Sequence, residues 1–390
     1  MQKVILKRTS RLLAGHLWIF SNEMATSPKG YGPGSLVEVY DNKNTFLGIG
    51  YINPHSLIAI RLLTREREDI TPDFFRRKIG DAVNYRKRFL PDTSSCRLVF
   101  SEGDFLPGLI VDKYEDCLVV QLTTLGMDSL RDMILTVLEE MFSPAIIVLR
   151  NDSNSRTLEG LPLEKTIVKG ALDTLPVIKD GEVSIEVNPM SGQKTGFFLD
   201  QRENRIALKQ YIKGGNGLDL FCYSGAWGLH LAGNGANVTF VDDSEAAVSI
   251  ARRNAGLNAE MNGLESRCEF IKDNVFDFLK RISAEGGLYD FIVLDPPAFV
   301  KSRAKIKEAA RAYRDLNSRA MGLIKKGGLL ATSSCSYHID RAVFLEILRE
   351  AARDAGRDVR LLEYRSQGRD HPVLLTVPET EYLKCAFLEL

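Results

Sequence analysis

Apolar and polar positions change rhythm three times along this chain. Up to about residue 70, short apolar runs ("SLVEVYD", "FLGIGYIN", "LIAIRLLT") alternate with Gly, Pro and Asn. That is the pattern of strands joined by turns, and it predicts a small, mostly β module over residues 1–72. A charged stretch follows, "TREREDITPDFFRRKIGDAVNYRKRFL", whose second half has helical periodicity. Residues 73–180 read as an α+β module, with strands at "RLVF", "PGLIVDKY", "CLVVQLT" and "AIIVLR" and a helix near "MDSLRDMILTVLEEMF". From 181 to 390 the strands "GLDLF", "NVTFVD", "CEFIKD", "FIVLDPP" and "GGLLATSS" are spaced by helical stretches. Strands alternating with helices imply a mostly parallel, Rossmann-like sheet with crossover connections. The expected fold is therefore multidomain α/β.

Composition narrows the function classes. Hydrophobic residues make up 44% and charged residues 26% of the 390 positions, as in ordinary globular chains. Lys plus Arg and Asp plus Glu number 51 each, so a nucleic-acid ligand would need local basic patches. Arg61, Arg65 and Arg67, then Arg76, Arg77, Lys78, Arg86, Lys87 and Arg88, form one such cluster. Lys301, Arg303, Lys305 and Lys307 form another. Solvated helix faces are the alternative for both. The six cysteines, at 96, 117, 222, 268, 335 and 385, lack CxxC or zinc spacing, so no metal is expected. The N-terminus lacks a signal-peptide pattern. No run reaches the about 20 apolar residues of a membrane helix, so a cytoplasmic location is expected and no membrane partner.

Candidate chemistry concentrates after residue 181. "GLDLFCYSGAWGLHLA" (217–232) reads as a buried strand, a turn containing Gly225 and a helix start. Glycine lets a ligand approach the backbone closely. The turn Phe221-Cys222-Tyr223-Ser224-Gly225 lacks the first glycine of G-x-G-x-x-G, which argues against a pyrophosphate and for an adenosine ligand without phosphates, such as S-adenosylmethionine. Asp242 ends the next strand, where a carboxylate can accept from ribose hydroxyls. Asp273 and Asn274 end the third, within reach of an adenine edge, although Asp and Asn also form turns there. "DPPAF" then places Asp295 before two prolines, a rigid corner offering acceptors to the donor edge of a nucleobase. Phe299 could stack on a flipped base or cap the core. Cys335, in "TSSCSYH", follows a strand in the same sheet and is either packing or a nucleophile.

With these residues in hand, the C-terminal half resembles class I S-adenosylmethionine-dependent methyltransferases. More narrowly, the whole chain resembles bacterial 23S rRNA cytosine-5 methyltransferases that carry an N-terminal PUA domain. The matching stretches are "GHLWIFSNE", "GQKTGFFLDQRENR", "LDLFCYSGAWGLHLA", "VDDS", "DPPAF", "AYRDLN", "SCS" and "DHPVLL…YLK". The resemblance implies that S-adenosylmethionine lies among Asp200, Gln201, Arg202, Asp219, Phe221, Tyr223, Ser224, Gly225, Asp242, Asp273, Asn274 and Asp295. It implies that Cys335 attacks carbon 6 of the cytosine with Asp295 beside it. Pro296, Pro297, Phe299, Lys301 and Arg303 would meet the substrate, 23S rRNA. Oligomeric state, a homodimer included, stays open. So do two other functions: methylation of an exocyclic amine of guanine or adenine with Cys335 structural, and a non-catalytic RNA-binding role.

Overall fold

The computed structural model describes residues 1–261, 263–299 and 305–390. The chain divides into two compact units. One comprises Met1–Pro176, Val187–Leu199 and Arg369–Thr380; the other comprises Val177–Glu186, Asp200–Gly368 and Glu381–Leu390.

The first unit holds two five-stranded sheets. Strands β1 (Gln2–Ile5), β2 (Trp18–Phe20), β3 (Leu36–Tyr40), β4 (Phe46–Ile52) and β5 (Ile58–Thr64) pair in the order β1-β3-β4-β5-β2, with short helix α1 (Ser10–Leu13) between β1 and β2. Helix α2 (Pro72–Phe89) starts where the Thr71 hydroxyl accepts from Phe74 N and Pro72 takes the first turn. The second sheet runs β10-β9-β8-β7-β6. Its strands are β6 (Ser95–Phe100), β7 (Leu109–Tyr114), β8 (Cys117–Leu122), β9 (Ile146–Asn151) and β10 (Glu164–Lys169). Between β8 and β9 the expected single helix is two, α3 (Leu125–Ser129) and α4 (Arg131–Phe142); α5 (Ser155–Leu158) follows β9. The two sheets share a core: Ile49, Tyr51 and Leu63 of the first cluster with Phe75, Val111, Leu122 and Met127. Tyr51 OH donates to Pro107 O at 2.7 Å, and a Cβ on Gly126 would lie 2.0 Å from the Tyr51 ring. The boundary expected near residue 72 therefore falls inside one unit.

The second unit opens with the hairpin β11 (Val177–Asp180) and β12 (Val183–Glu186) and helix α6 (Arg202–Leu208). The chain then alternates: β13 (Asn216–Leu220), α7 (Ala226–Ala232), β14 (Asn237–Asp242), α8 (Glu245–Leu257), β15 (Cys268–Lys272), α9 (Val275–Glu285), β16 (Tyr289–Leu294), α10 (Ile306–Gly322) and β17 (Ile324–Ser334). After α11 (Arg341–Asp354) come β18 (Arg360–Arg365) and β19 (Lys384–Glu389). The seven-stranded sheet has the order β15-β14-β13-β16-β17-β19-β18. Five strands are parallel, as their near-continuous apolar runs predict. β19 inserts antiparallel between β17 and β18, with Ser334 opposite Lys384. Leu218, Leu220, Ile292, Leu294 and Leu330 of the sheet pack with Leu279, Tyr313, Leu316 and Phe344 of α9, α10 and α11.

Candidate active site

Strand order in the large sheet reverses between β13 and β16, and open α/β sheets bind ligands beyond the C-terminal ends of the strands at that point. After β13 the chain turns through Phe221 (φ 62°), Tyr223 (φ 47°) and Gly225 (φ 78°). Left-handed backbone at two aromatic residues costs about 1–3 kcal/mol each and needs surrounding bonds to hold it. Those bonds are Cys222 N to Val241 O (3.2 Å), Tyr223 N to Asp242 Oδ2 (3.0 Å), Gly225 N to Cys222 O (2.7 Å) and Asn254 Nδ2 to Ser224 O (2.9 Å). A Cβ on Gly228 would lie 2.3 Å from the Phe240 ring, so α7 packs directly on β14. The turn is thus a rigid backbone cradle.

Three carboxylates crowd this edge. Asp219 is 1% exposed; its Oδ2 accepts from Gly228 N at 2.8 Å, while its Oδ1 has no hydrogen-bond partner among the described residues. Burial lifts its pKa to about 7; the Gly228 bond opposes this, and the charges of Asp295 and Asp242 add to it. Asp242 is also raised, first by burial, although its oxygens accept from Tyr223 N and Ser244 N at 3.0 Å each. Anions gathered in a low-dielectric crevice favour a cationic ligand.

Asp295 follows β16 at the rigid Pro296-Pro297 corner. It accepts from Trp227 Nε1 at 3.0 Å and from Gln201 Nε2 at 3.1 Å to each oxygen. Gln201 Nε2 also lies 3.1 Å from Ser333 Oγ, and Gln201 Oε1 accepts from Asn204 Nδ2 at 2.7 Å. One buried amide therefore ties the end of β16 to the end of β17, and Cys335 sits just past that end, partly exposed. Cys222, the competing thiol, is buried, and burial pushes it well above the ordinary range, which makes it a poor nucleophile.

The remaining predicted residues are distributed as follows. Asp200 is buried and accepts from Tyr382 OH at 2.5 Å. Arg202 Nε donates to Asp180 Oδ1 at 2.8 Å. Asp273 pairs with Arg281 at 2.7 Å, and Asn274 Oδ1 caps α9 by accepting from Phe276 N at 3.0 Å. Pro296 is buried and Pro297 exposed. The Phe299 ring packs 4.8 Å from that of Tyr313, against the core. Lys301 and Arg303 lie outside the described residues.

Several arginines read as phosphate contacts are engaged internally. Arg61 forms a buried pair with Glu159 at 2.9 Å, and fully buried Arg86 pairs with Asp104 and donates to Arg97 O and Asp370 O. Arg65 donates to Leu12 O and His16 O. Lys87 and Arg88 are exposed.

Sequence reasoning missed Trp227, Tyr313, Lys384 and the buried Asp180, which carries Arg202, Arg205 and His230. Only "YLK" pointed toward Lys384. Among the described residues no group of His, Cys, Asp and Glu is placed to hold a metal ion, and no helix is long and apolar enough to cross a membrane.

Residues 4–65 match a PUA-like domain family, and residues 148–374 match the S-adenosylmethionine-dependent methyltransferase family. The chain belongs to the S-adenosylmethionine-dependent methyltransferases. The match begins at β9, well before the boundary expected at 181. This methyltransferase is 37% identical to the ribosomal RNA large subunit methyltransferase I of Pseudoalteromonas atlantica, over 97% of this chain and 96% of the relative. It is 38% identical to that of Aeromonas hydrophila, with the same coverage. Its fold matches that of a chain described as a SAM-dependent methyltransferase from Streptococcus mutans (TM-score 0.83, 21% identity, all of both chains). A second chain, described as a methyltransferase complexed with SAH, matches with TM-score 0.85 and 20% identity over all of both chains. S-adenosylmethionine is therefore the methyltransferase's cofactor. The left-handed turn, the unpartnered Asp219 oxygen and the clustered carboxylates fit a cationic nucleoside.

Proposed function

We propose that the protein methylates C5 of a cytosine in large-subunit (23S) ribosomal RNA through a covalent adduct of Cys335 at C6. The observation that carries this reading is that partly exposed Cys335 follows β17 and Asp295 follows the neighbouring strand β16, the two strand ends being tied by Gln201 through Ser333 and Asp295. The names of the relatives, ribosomal RNA large subunit methyltransferase I, support the choice of RNA.

The cofactor, when bound, supplies a methyl group on a sulfonium, an electrophile too mild for the unactivated C5 of cytosine. The backbone of Phe221, Tyr223, Ser224 and Gly225, with Asp242, Asp273 and Asn274 at neighbouring strand ends, would hold its nucleoside. The carboxylates of Asp219, Asp242 and Asp295 favour its positive charge, and Asp200, Gln201 and Arg202 line the approach from α6. Cys335 acts as thiolate: its sulfur bonds to C6, and the C5–C6 π pair becomes available at C5. Asp295, fixed by Gln201 and Trp227, accepts from the cytosine N4 amine and orients the base, while the negative charge that addition puts on the ring is met by a solvent proton at N3, returned when the base is released. Once C5 carries the methyl group, its proton passes to solvent water, the C–H pair re-forms the C5–C6 double bond, and the S–C6 pair leaves on sulfur, which restores the aromatic base and the thiolate. Pro296 and Pro297 keep the Asp295 corner from relaxing, and Phe299 backs it. The PUA-like sheet contributes RNA affinity, with Lys87, Arg88, Lys301 and Arg303 as phosphate contacts. A ribosomal RNA substrate supports a cytoplasmic location, the compartment that keeps thiols reduced.

The test is Cys335→Ala, assayed by methyl transfer to undermethylated ribosomal RNA together with cofactor binding. Loss of transfer with binding retained is expected, as is trapping of the wild type by 5-fluorocytidine RNA. Normal turnover by the variant would overturn the covalent route and leave methylation of an exocyclic amine.

A further inference from the structure

We propose that Lys384 is the positioning residue that keeps Cys335 anionic, its ammonium clamped against the turn that carries the sulfur. The inference rests on the covalent reading of Cys335 given above. Lys384 begins β19 and lies opposite Ser334, the last residue of β17, so the antiparallel register delivers its side chain to the Cys335 turn. The residue is 5% exposed. Its Nζ donates to Ser336 O at 2.8 Å and to Tyr382 O at 2.7 Å, one carbonyl from the residue after the cysteine and one from β19's own approach. Two carbonyls engage two of the three ammonium donors and leave one for an anion.

A buried lysine is costly, and one whose hydrogen bonds among the described residues go to two neutral carbonyls invites a reason for its charge. Burial lowers its pKa to about 8, while the Cys335 sulfur, Glu381 and Asp340 pull the other way. The lysine is therefore largely protonated at neutral pH and electrostatically coupled to the sulfur. Other groups face the same place. From α10, Tyr313 bonds to Ser336 Oγ at 3.1 Å, and burial lifts its phenol to about 12, so it stays neutral. Asp295 at the end of β16 and Asp340 at the start of α11 are anions that oppose a thiolate, and Tyr337 and His338 follow in the same turn. A cation is what the turn requires if its sulfur is to ionise below the ordinary thiol pKa of about 8.5. The proton released from the sulfur goes to solvent; Lys384 keeps its own and supplies the counter-charge.

The experiment is the pH dependence of iodoacetamide alkylation at Cys335, read by peptide mass mapping of the full-length protein without RNA. Wild type is expected to alkylate with an apparent pKa below about 8.5. Lys384→Met should raise it by a unit or more, which slows alkylation at pH 6.5 about tenfold, while Lys384→Arg should restore most of the wild-type profile. Cofactor binding by each variant reports that the unit is folded. A purely structural lysine would leave the pH profile of a folded Lys384→Met variant unmoved, and that result overturns the proposal. So does a wild-type pKa at or above the ordinary value, which needs no variant at all. The two readings fail separately: an unmoved profile beside an inactive Cys335→Ala removes the role of Lys384, whereas a fully active Cys335→Ala removes the covalent route.

Discussion

Replacing Asp219 with asparagine isolates the effect of burying a carboxylate under the cofactor turn. In the folded protein this group titrates near 7 instead of 3.8, chiefly because it is buried. Its folded value lies above its unfolded value, so its contribution to stability is full below about pH 4 and is lost as the pH rises through about 7. The gap corresponds to roughly 4 kcal/mol in total, of which about 3 kcal/mol falls between pH 4.5 and 8.5. The substituted side chain in Asp219→Asn would still accept from Gly228 N but would bind no proton. Its amide nitrogen takes the place of the Oδ1 hydroxyl of the protonated acid, which has no partner among the described residues either. The variant should therefore be close to wild type at pH 4.5 and more stable by about 3 kcal/mol at pH 8.5. Urea titrations without cofactor measure this through Trp227, one of two tryptophans, in a Trp18→Phe background. Following one reporter avoids assuming a single transition for a chain of two units. A wild-type-minus-variant difference that stays flat across that pH range would refute the reasoning.

Two further perturbations probe the same unit. Gly228→Ala would place a Cβ 2.3 Å from the buried Phe240 ring and 3.0 Å from Asp219 Oδ2, forcing α7 off β14. A loss of about 1–3 kcal/mol in stability and weaker cofactor binding by calorimetry are expected. Asp180→Ala would leave Arg205, Arg202 and His230 around an empty buried site; the Asp180 carboxylate now meets them at 2.6, 2.8 and 3.0 Å. Removing one member of such a cluster costs about 3–5 kcal/mol, visible in the same fluorescence transition. Burial by itself would raise the Asp180 pKa, but Arg205, His230 and Arg202 hold it well below the usual range. Its contribution is therefore present above about pH 4 and fades only as the pH falls further, so wild type and Asp180→Ala should converge in strong acid.

Much of the parallel sheet could be read directly. β13, β14, β16 and β17 contain apolar runs bounded by turn residues, and burial of those runs leaves a chain few other ways to hide them, whereas edge strand β15, "CEFIK", is charged and half-exposed. The hairpin β11–β12 and the strands β18 and β19 were not read, because "RLLEYR" and "KCAFLE" are short and carry charges. Antiparallel insertion of β19 depends on which edge is left open after the parallel strands have assembled. The amide of Gln201 bonds to Asp295, Ser333 and Asn204, partners from 3 to 132 residues away that its sequence neighbours do not reveal.

Residue types and their order determined most of the parallel strands, the positions of Cys335, Asp295 and the Gly225 turn at strand ends, and the family resemblance. These are local properties: apolar run length, proline and glycine geometry, and motif order. Tertiary structure alone decided which charges are available. Arg61 and Arg86 are buried in ion pairs, whereas Lys87 and Arg88 face solvent from the same stretch of chain. It also brought Lys384 beside Cys335 across 49 residues, through the register of β17 with β19. A charge acquires its partner and its dielectric only when the chain closes on itself, so its role cannot be read from its neighbours in sequence.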